Sequence, residues 1–371
     1  MTNLQWSDLS NHLFRWTLVA YFFAFLGYAL EYAYGARGAV ANAADSQPLT
    51  AVAADRSEAL VGAAAGPAVH APMGASLGAS GAAPVGDPLG APPGAPVGDA
   101  SGGLSGPAGP PPRWTVLLGR TAVGLTVIGW GLHLAAVLTR AVAAGHVPWG
   151  NMYEFSLAVA FVAVTVYLVL LATRQIRYLG LWIMTPVTVY LLIAGTSLYS
   201  TAGPLMPILS KSYWLLVHVT AILTATGALM VAGVVAVMNL LRRRYEAAAE
   251  AGEAPTRGLV SLAARLAPAR ALDKLEYRLV AFAFPVYTFA VIAGAVWAES
   301  AWGRYWGWDP KETWSFVTWL VYAAYLHART TAGWRRWAST ISLTAFGCLM
   351  ANYFIVNLII VGKHSYAQVN H

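Results

Sequence analysis

Cysteine and charged residues are scarce in this chain. Its 371 residues include one cysteine, Cys348, and only 11% charged side chains. A single cysteine excludes a disulfide framework, a thiolate zinc site and a Cys-x-x-Cys redox pair within the chain. A soluble domain carries roughly 25% charged residues, so this low charge, together with 58% hydrophobic residues, indicates a membrane protein.

Long apolar runs occupy most of the sequence. Several approach or exceed the ~20 residues that cross a bilayer as a helix. We predict an all-α, polytopic integral membrane bundle of about eight transmembrane helices, with one span in residues 1–37 and the others in 113–371. The predicted spans are 12–31, 115–138, 153–173, 179–198, 213–241, 277–298, 310–328 and 338–361.

Residues 38–112 separate the first two predicted spans. This stretch consists almost wholly of Ala, Gly, Pro, Ser and Val and has no aromatic residue. It cannot bury enough apolar surface to offset the entropy of folding, which predicts a disordered linker.

The basic residues predict which loops face the cytoplasm. They concentrate before span two and after spans three, five and seven, and these segments share one side if the spans alternate. The positive-inside rule makes that side, and with it the linker, cytoplasmic. The net charge of +7 therefore reflects membrane topology and not nucleic-acid binding. The residues concerned are Arg113, Arg120, Arg174, Arg177, Arg242, Arg243, Arg244, Arg257, Arg265, Arg270, Lys274, Arg278, Arg329, Arg335 and Arg336.

The same alternation places the chemically unusual segments on the external face of a cell membrane. These are the loop 297–314, the segment 145–154, the start of span five and the C-terminal tail. Basic residues are few there. Arg140 is one of them, and Arg304 and Lys311 are the best placed to bind carboxylates of a ligand because they lie in the loop.

Five tryptophans lie within the loop 297–314. An interfacial belt explains one or two tryptophans per helix end, whereas five, spaced by Gly303 and Gly307, favour a platform for a flat aromatic ligand. The five are Trp297, Trp302, Trp306, Trp308 and Trp314.

Helix-capping residues follow this platform. Asp309 as N-cap, Pro310 as first helical residue and Glu312 as the third form a predicted capping box. The box fixes the start of span seven and holds the loop just outside the bilayer core. Asn151 and Glu154 form a similar predicted cap at the start of span three.

Two histidines flank the platform in sequence. His218 lies about six residues into span five, and His364 lies two residues after Gly362, a natural stop for span eight. Both are expected at similar depth on the external side. Two neutral imidazoles can fill both axial positions of a haem iron, so the pair predicts a bis-histidine haem site.

Two further histidines lie within spans. His327 follows Pro310 by 17 residues, or ~25 Å of helix, so it is expected near the cytoplasmic boundary and apart from the external site. An ionisable group at such depth is a candidate functional residue. His133, in the middle of span two, is either a ligand or a packing contact.

The loop and its surroundings resemble a known family. WGRYWGWDPKETW followed by WLVYAAYLHAR is similar to the tryptophan-rich WWD signature of haem-handling proteins, and GHVPWGNMYE, KSYWLLVHV and VGKHSY match further segments in order. The resemblance is to the CcsA (ResC) family of cytochrome c biogenesis and covers residues 115–371. Trp149 and Gly150 depart from the usual run around the family's Asn-x-Tyr-Glu.

This resemblance implies a function and a set of ligands. His218 and His364 would bind haem iron at the external WWD site, and His327 would bind it deeper in the membrane, beside a histidine of a partner subunit. The partner would be a CcsB (ResB) protein, and the complex would be a cytochrome c haem lyase.

We therefore predict a membrane subunit that carries haem b, as transported substrate, outward from His327. The platform of Trp302, Trp306, Trp308 and Trp314, ordered by Asp309, would present it to the CXXCH motif of apocytochrome c for thioether attachment. A separate thiol reductant system would supply electrons. Two alternatives remain from sequence: a haem exporter or chaperone without ligation activity, and an electron-transfer cytochrome subunit.

Overall fold

The computed structural model describes residues 1–35, 113–174, 176–209, 212–253, 257–360 and 362. The predicted linker 38–112 and the predicted ligand His364 lie outside the described residues. Every regular element in the described ranges is helical, in agreement with the predicted all-α class. The α-helices there are α1 (Asn3–Tyr34), α2 (Arg113–Ala144), α3 (Met152–Thr173), α4 (Gly180–Ser197), α5 (Trp214–Glu250), the short α6 (Gly258–Leu262), α7 (Ala269–Trp302), α8 (Pro310–Thr330) and α9 (Ala338–Leu358).

Seven of these helices are long and apolar enough to cross a membrane, which confirms a polytopic helical membrane protein. They are α1 to α5, α7 and α9, where α4 and α9 each include a preceding 3-10 turn. The remaining predicted span, 310–328, forms the 21-residue α8 but is not among the seven. Its charged ends, Lys311 with Glu312 and His327 with Arg329, lower its hydropathy.

Several helices extend beyond the predicted spans. Thr2 and Gln5 form a capping box that starts α1 at Asn3, ahead of the predicted position 12. The end of α5 and the start of α7 both continue into the basic segment 242–276, which is therefore largely helical. Polar residues can extend a helix past the bilayer core, because its backbone hydrogen bonds close locally.

Small residues let the helices approach one another closely. A Cβ at Gly27 of α1 would lie 2.9 Å from the Ala122 Cβ of α2, and one at Gly227 of α5 would lie 2.6 Å from a Val162 methyl group of α3. Such small-residue contacts are typical of helix pairs in membranes. α5 packs against α3, α7 and α9, while α8 packs mainly against α9.

The loops separate into two ends of the bundle, as the alternation of spans predicts. At one end the side chain of Asp273 on α7 pairs with Arg243 at the end of α5, Arg329 at the end of α8 and Arg335 before α9. At the other end, the starts of α3, α5 and α8 and the ends of α7 and α9 surround a cavity.

Candidate functional site

The cavity lies beside the Trp-rich loop. Its volume is about 200 Å³, and it opens to solvent at one side. Most of the lining side chains are apolar or aromatic, with a few polar groups near the mouth. Those used below are Trp149, Asn151, His218, Tyr287, Gly294, Trp297, Trp306, Lys311, Ser315, Asn352 and Asn357.

His218 reaches the cavity from the first turns of α5. Its Nδ1 lies 2.7 Å from the carbonyl oxygen of Ala290 on α7. A carbonyl oxygen only accepts hydrogen bonds, so Nδ1 carries the proton of the neutral ring and Nε2 carries the lone pair. A metal-binding histidine is commonly oriented in this way.

Gly294, one turn after Ala290, makes room for that imidazole. A Cβ at position 294 would lie 2.7 Å from both Cε1 and Nδ1 of His218, closer than a carbon atom can approach without displacing the ring. Sequence analysis did not identify this residue. The run of small residues around it is a weak signal, and only the contact between α5 and α7 reveals its role.

We expect Gly294→Ala to displace the His218 ring and break its bond to Ala290. A group that orients a metal ligand contributes about 10–100-fold in affinity, so haem binding should weaken by at least ~10-fold in a titration of purified protein. Gly347→Ala on α9 is the matched control, because a Cβ there meets nothing within 4 Å. Equal haem affinity in the two variants would contradict the packing role of Gly294.

Two caps fix the Trp-rich loop. α7 ends at Gly303, whose φ of 70° is left-handed, and the predicted capping box of Asp309 and Glu312 is present. Glu312 Oε2 accepts hydrogen bonds from the backbone N–H groups of Gly307 at 2.7 Å and Asp309 at 3.1 Å. Trp308 between them has a φ of 57°. A bulky residue such as Trp308 rarely adopts a positive φ, so the two caps on either side determine the backbone conformation of the loop.

The five tryptophans occupy different positions around this loop. Trp306 and Trp297 line the cavity. Trp302 packs edge to face on Trp297, with ring centroids 5.0 Å apart, and Trp308 packs edge to face on Trp306 at 5.8 Å. Trp308 is 66% exposed. Trp314 is half-buried on α8 and does not line the cavity.

A buried ion pair supports the opposite wall. Asn151 caps α3 by accepting from the Glu154 N–H at 2.9 Å, but Glu154 does not complete the predicted capping box. Its Oε2 accepts from Gly150 N–H at 3.0 Å, and its Oε1 accepts from Arg140 Nε at 3.0 Å. Both charged side chains are fully buried. Arg140 also donates to the Ser200 carbonyl oxygen, so its guanidinium is engaged in the protein and does not serve the cavity.

The two basic residues expected to bind ligand carboxylates differ in placement. Lys311 lines the cavity, and its Nζ donates to the Asn352 carbonyl oxygen at 3.3 Å and to Asn357 Oδ1 at 2.5 Å. Arg304 folds over the loop backbone, since a Cβ at Gly307 would overlap its guanidinium group. The amides of Asn352 and Asn357 were not identified from sequence.

Two other histidines, His327 and His133, lie apart from the cavity. His327 is exposed in the last turn of α8, with Nε2 3.3 Å from Thr331 Oγ1. His133 is fully buried between α1 and α3, where its ring packs edge to face with Tyr21 and Phe161 and its Nδ1 lies 3.4 Å from the Tyr21 hydroxyl oxygen. Gly362, the last described residue, lies against the α8 cap, where its Cβ would be 3.0 Å from Asp309 Oδ1.

Comparison with known proteins identifies the family. Residues 149–364 match the family described as cytochrome c assembly protein. A protein named cytochrome c biogenesis protein CcsA from Microcystis aeruginosa (strain NIES-843) is 34% identical over 291 residues, which are 67% of this chain and 87% of the relative. The protein of the same name from Crocosphaera subtropica (strain ATCC 51142) is 33% identical over 310 residues, 71% of this chain and 91% of the relative. The matched region contains the whole cavity wall, and a match of this length and identity makes the chain a member of the CcsA family of cytochrome c assembly proteins.

Proposed function

We propose that this chain is the haem-binding membrane subunit of a cytochrome c synthase. It would carry haem b across the membrane and hold it in the Trp-lined cavity for thioether attachment to apocytochrome c. The observation that carries the proposal is His218, which faces a mostly apolar, aromatic-lined cavity with its Nδ1–H held by the Ala290 carbonyl oxygen. Its relatives are named cytochrome c biogenesis proteins, which agrees with this role.

His364 is proposed as the second axial ligand. It follows Gly362 by two residues, a reach of ~7 Å of extended chain. Gly362 lies against Asp309 at the cap of α8, two residues before Lys311 of the cavity wall, and from there His364 is proposed to reach the cavity mouth. His218 from α5 and His364 from the tail would then approach a haem from two sides.

The cavity wall suits a flat apolar ligand with carboxylates at one edge. Trp149, Trp297 and Trp306 supply aromatic surface, and each aromatic contact contributes ~0.5–1.5 kcal/mol beyond the area buried. Lys311 is the cation on the wall, where Asn352 and Asn357 orient it. We assign it to one haem carboxylate and Arg304, at the loop surface, to the other. Trp302, Trp308, Trp314 and Asp309 would shape the platform around them.

His327 is proposed to receive haem on its way to this cavity. It is exposed on α8, so its imidazole is accessible to a second membrane subunit, for which a ResB/CcsB-like protein is proposed. The cavity end would face outward across the cell membrane and the arginine-rich end would face the cytoplasm, by the positive-inside rule. Haem would enter near His327 and leave from the cavity.

Thioether formation adds each cysteine S–H of the CXXCH motif across one haem vinyl group, with no atom lost. The single cysteine, Cys348, lies on α9 and does not line the cavity, so both thiols come from apocytochrome c and are kept reduced by a separate system. The proposed work of this chain is to bind and orient the haem and to exclude water around it.

The test is haem content and covalent product in wild type and Trp306→Ala. Wild type purified with its partner should show a haem spectrum and should yield covalent haem on a co-expressed cytochrome. Trp306→Ala should bind haem roughly 2- to 10-fold more weakly from the lost aromatic contact alone. Trp334→Ala, at an exposed tryptophan near the arginine-rich end, is the matched control and should bind normally.

The same experiment separates the alternatives. Haem binding without covalent product, in the presence of partner and apocytochrome, would favour a haem exporter. A haem that stays bound and undergoes reversible redox change without transfer would favour an electron-transfer subunit. Absence of haem from the wild-type complex would overturn the proposal.

A further inference from the structure

A carboxyl group is buried between three helices, away from the cavity. Glu276 on α7 is fully buried. Its Oε2 accepts hydrogen bonds from Asn239 Nδ2 of α5 at 3.1 Å and from Ser339 Oγ of α9 at 2.9 Å, and Asn239 Nδ2 also lies 2.9 Å from Ser339 Oγ. These residues line no part of the cavity and have no role in the function proposed above.

Two acceptor oxygens around Glu276 lack a hydrogen-bond partner among the described residues. They are Glu276 Oε1 itself and Asn239 Oδ1. The hydroxyl groups of Tyr322 and Tyr325, on the neighbouring α8, are also buried and unpaired within the described part of the chain. A buried acceptor without a donor is unfavourable, and a carboxylate and an amide oxygen offer each other only acceptors.

The nearest charges belong to the arginine-rich end. Asp273, one helical turn before Glu276, pairs with Arg243 of α5, Arg329 of α8 and Arg335 before α9. No ion pair in the described ranges includes Glu276. The three arginines therefore engage Asp273, and Glu276 is left with neutral partners from every helix packed against it.

We propose that Glu276 is an internal proton-binding site of this protein. A protonated carboxyl group carries one O–H donor. That proton would make Oε1 a donor, for which the unpaired Asn239 Oδ1 is the candidate acceptor. It would also remove a buried negative charge that no ion pair in the described ranges offsets.

Burial disfavours the ionised form of the Glu276 carboxyl group. A carboxylate without a paired cation loses its hydration in the interior, which costs several kcal/mol. The arginines do carry excess positive charge over Asp273, but each of them is paired with the Asp273 carboxylate and not with Glu276. Solvent also screens the Arg335 and Arg243 side chains, which are 61% and 30% exposed, whereas Arg329 is 9% exposed and Glu276 is fully buried. The Asp273 carboxylate, one turn away, disfavours a second negative charge.

Protons can reach this site from the arginine-rich end. Asp273 is one helical turn from Glu276 and pairs with Arg335, whose side chain is 61% exposed, so this end of α7 lies close to solvent. Tyr322 and Tyr325 lie on the buried face of α8, and the exposed His327 lies on a different face. Uptake of a proton at Glu276 would thus occur at the end of the bundle opposite the cavity.

The infrared spectrum of the full chain in membranes at neutral pH tests the proposal. Wild type should show the carbonyl band of a protonated carboxyl group, shifted on H/D exchange, and this band should be lost in Glu276→Gln. Gln is a neutral isostere and should leave stability unchanged. The band should remain in Glu246→Gln, because Glu246 is a partly exposed carboxylate that pairs with Arg242 and contributes no such band. A wild-type spectrum without the band would overturn the proposal.

A second measurement does not depend on a variant. Dicyclohexylcarbodiimide reacts with protonated carboxyl groups in apolar surroundings. The O–H adds across one N=C bond of the reagent, and the adduct rearranges to a stable acylurea with no atom lost. Mass spectrometry of labelled wild type should find the adduct on Glu276 and not on the ion-paired Asp273. Should Glu276→Gln fail to accumulate, an unmodified Glu276 in labelled wild type overturns the proposal.

Discussion

His218→Ala is expected to abolish cytochrome c maturation and to weaken haem binding by more than ~100-fold. A residue that only orients a metal ligand is worth about 10–100-fold, and the ligand itself should be worth more. The substitution leaves a gap beside Gly294 and Ala290, where the ring now packs. Added imidazole should fill this gap and partly restore the haem spectrum and the covalent product.

His12→Ala is the matched control, since His12 is exposed on α1 and does not line the cavity. It should mature cytochrome c normally. Full maturation in the double variant His218→Ala, His364→Ala would refute the proposed axial ligands, because that variant lacks both of them. Loss of activity without loss of haem would instead assign His218 to a later step.

Arg140→Leu and Glu154→Leu are each expected to lower the free energy of unfolding by ~3–5 kcal/mol, because either change leaves its partner as an uncompensated buried charge. Both side chains are fully buried and lie 3.0 Å apart. The double variant should lose less than the sum of the two single changes, since no unpaired charge remains. Denaturant titration of detergent-solubilised protein measures all three values.

Arg177→Leu is the control for charge removal. Its pair with Glu31 is partly exposed, at 33% and 17% for the two side chains, and exposed pairs contribute only ~0–1 kcal/mol. Arg177→Leu should therefore lose far less stability than Arg140→Leu. Equal losses would show that the buried Arg140–Glu154 pair stabilises the fold no more than the partly exposed Arg177–Glu31 pair does.

Glu154 also accepts a hydrogen bond from the Gly150 N–H of the cavity wall. Haem binding should therefore weaken along with stability in Arg140→Leu.

The sequence predicted the fold class because a membrane helix leaves a strong local pattern. A run of ~20 apolar residues has few alternatives to a spanning helix, and the starts of α3 and α8 carry their own caps at Asn151 and Asp309. The helix ends were less predictable. α1 and α5 continue past the apolar runs because polar residues outside the bilayer core also form helix.

The site was predictable only in part. Trp306 and His218 stood out by residue type and position, and both line the cavity. Arg140 appeared from sequence to be an external basic residue, yet Glu154 and Ser200 hold it inside the protein. No local pattern distinguishes a buried arginine from an interfacial one, because its partners lie 14 and 60 residues away.

Sequence alone determined that this chain is a helical membrane protein that resembles the CcsA family, with the Trp-rich loop and His218 toward one end of the bundle. Hydropathy, caps and motifs are properties of neighbouring residues, so they need no tertiary information. Only the tertiary structure decided which side chains share a cavity, that Gly294 makes room for His218, and that Glu276 lies buried between Asn239 and Ser339. Those facts depend on contacts between helices distant in sequence, which packing determines and local patterns do not encode.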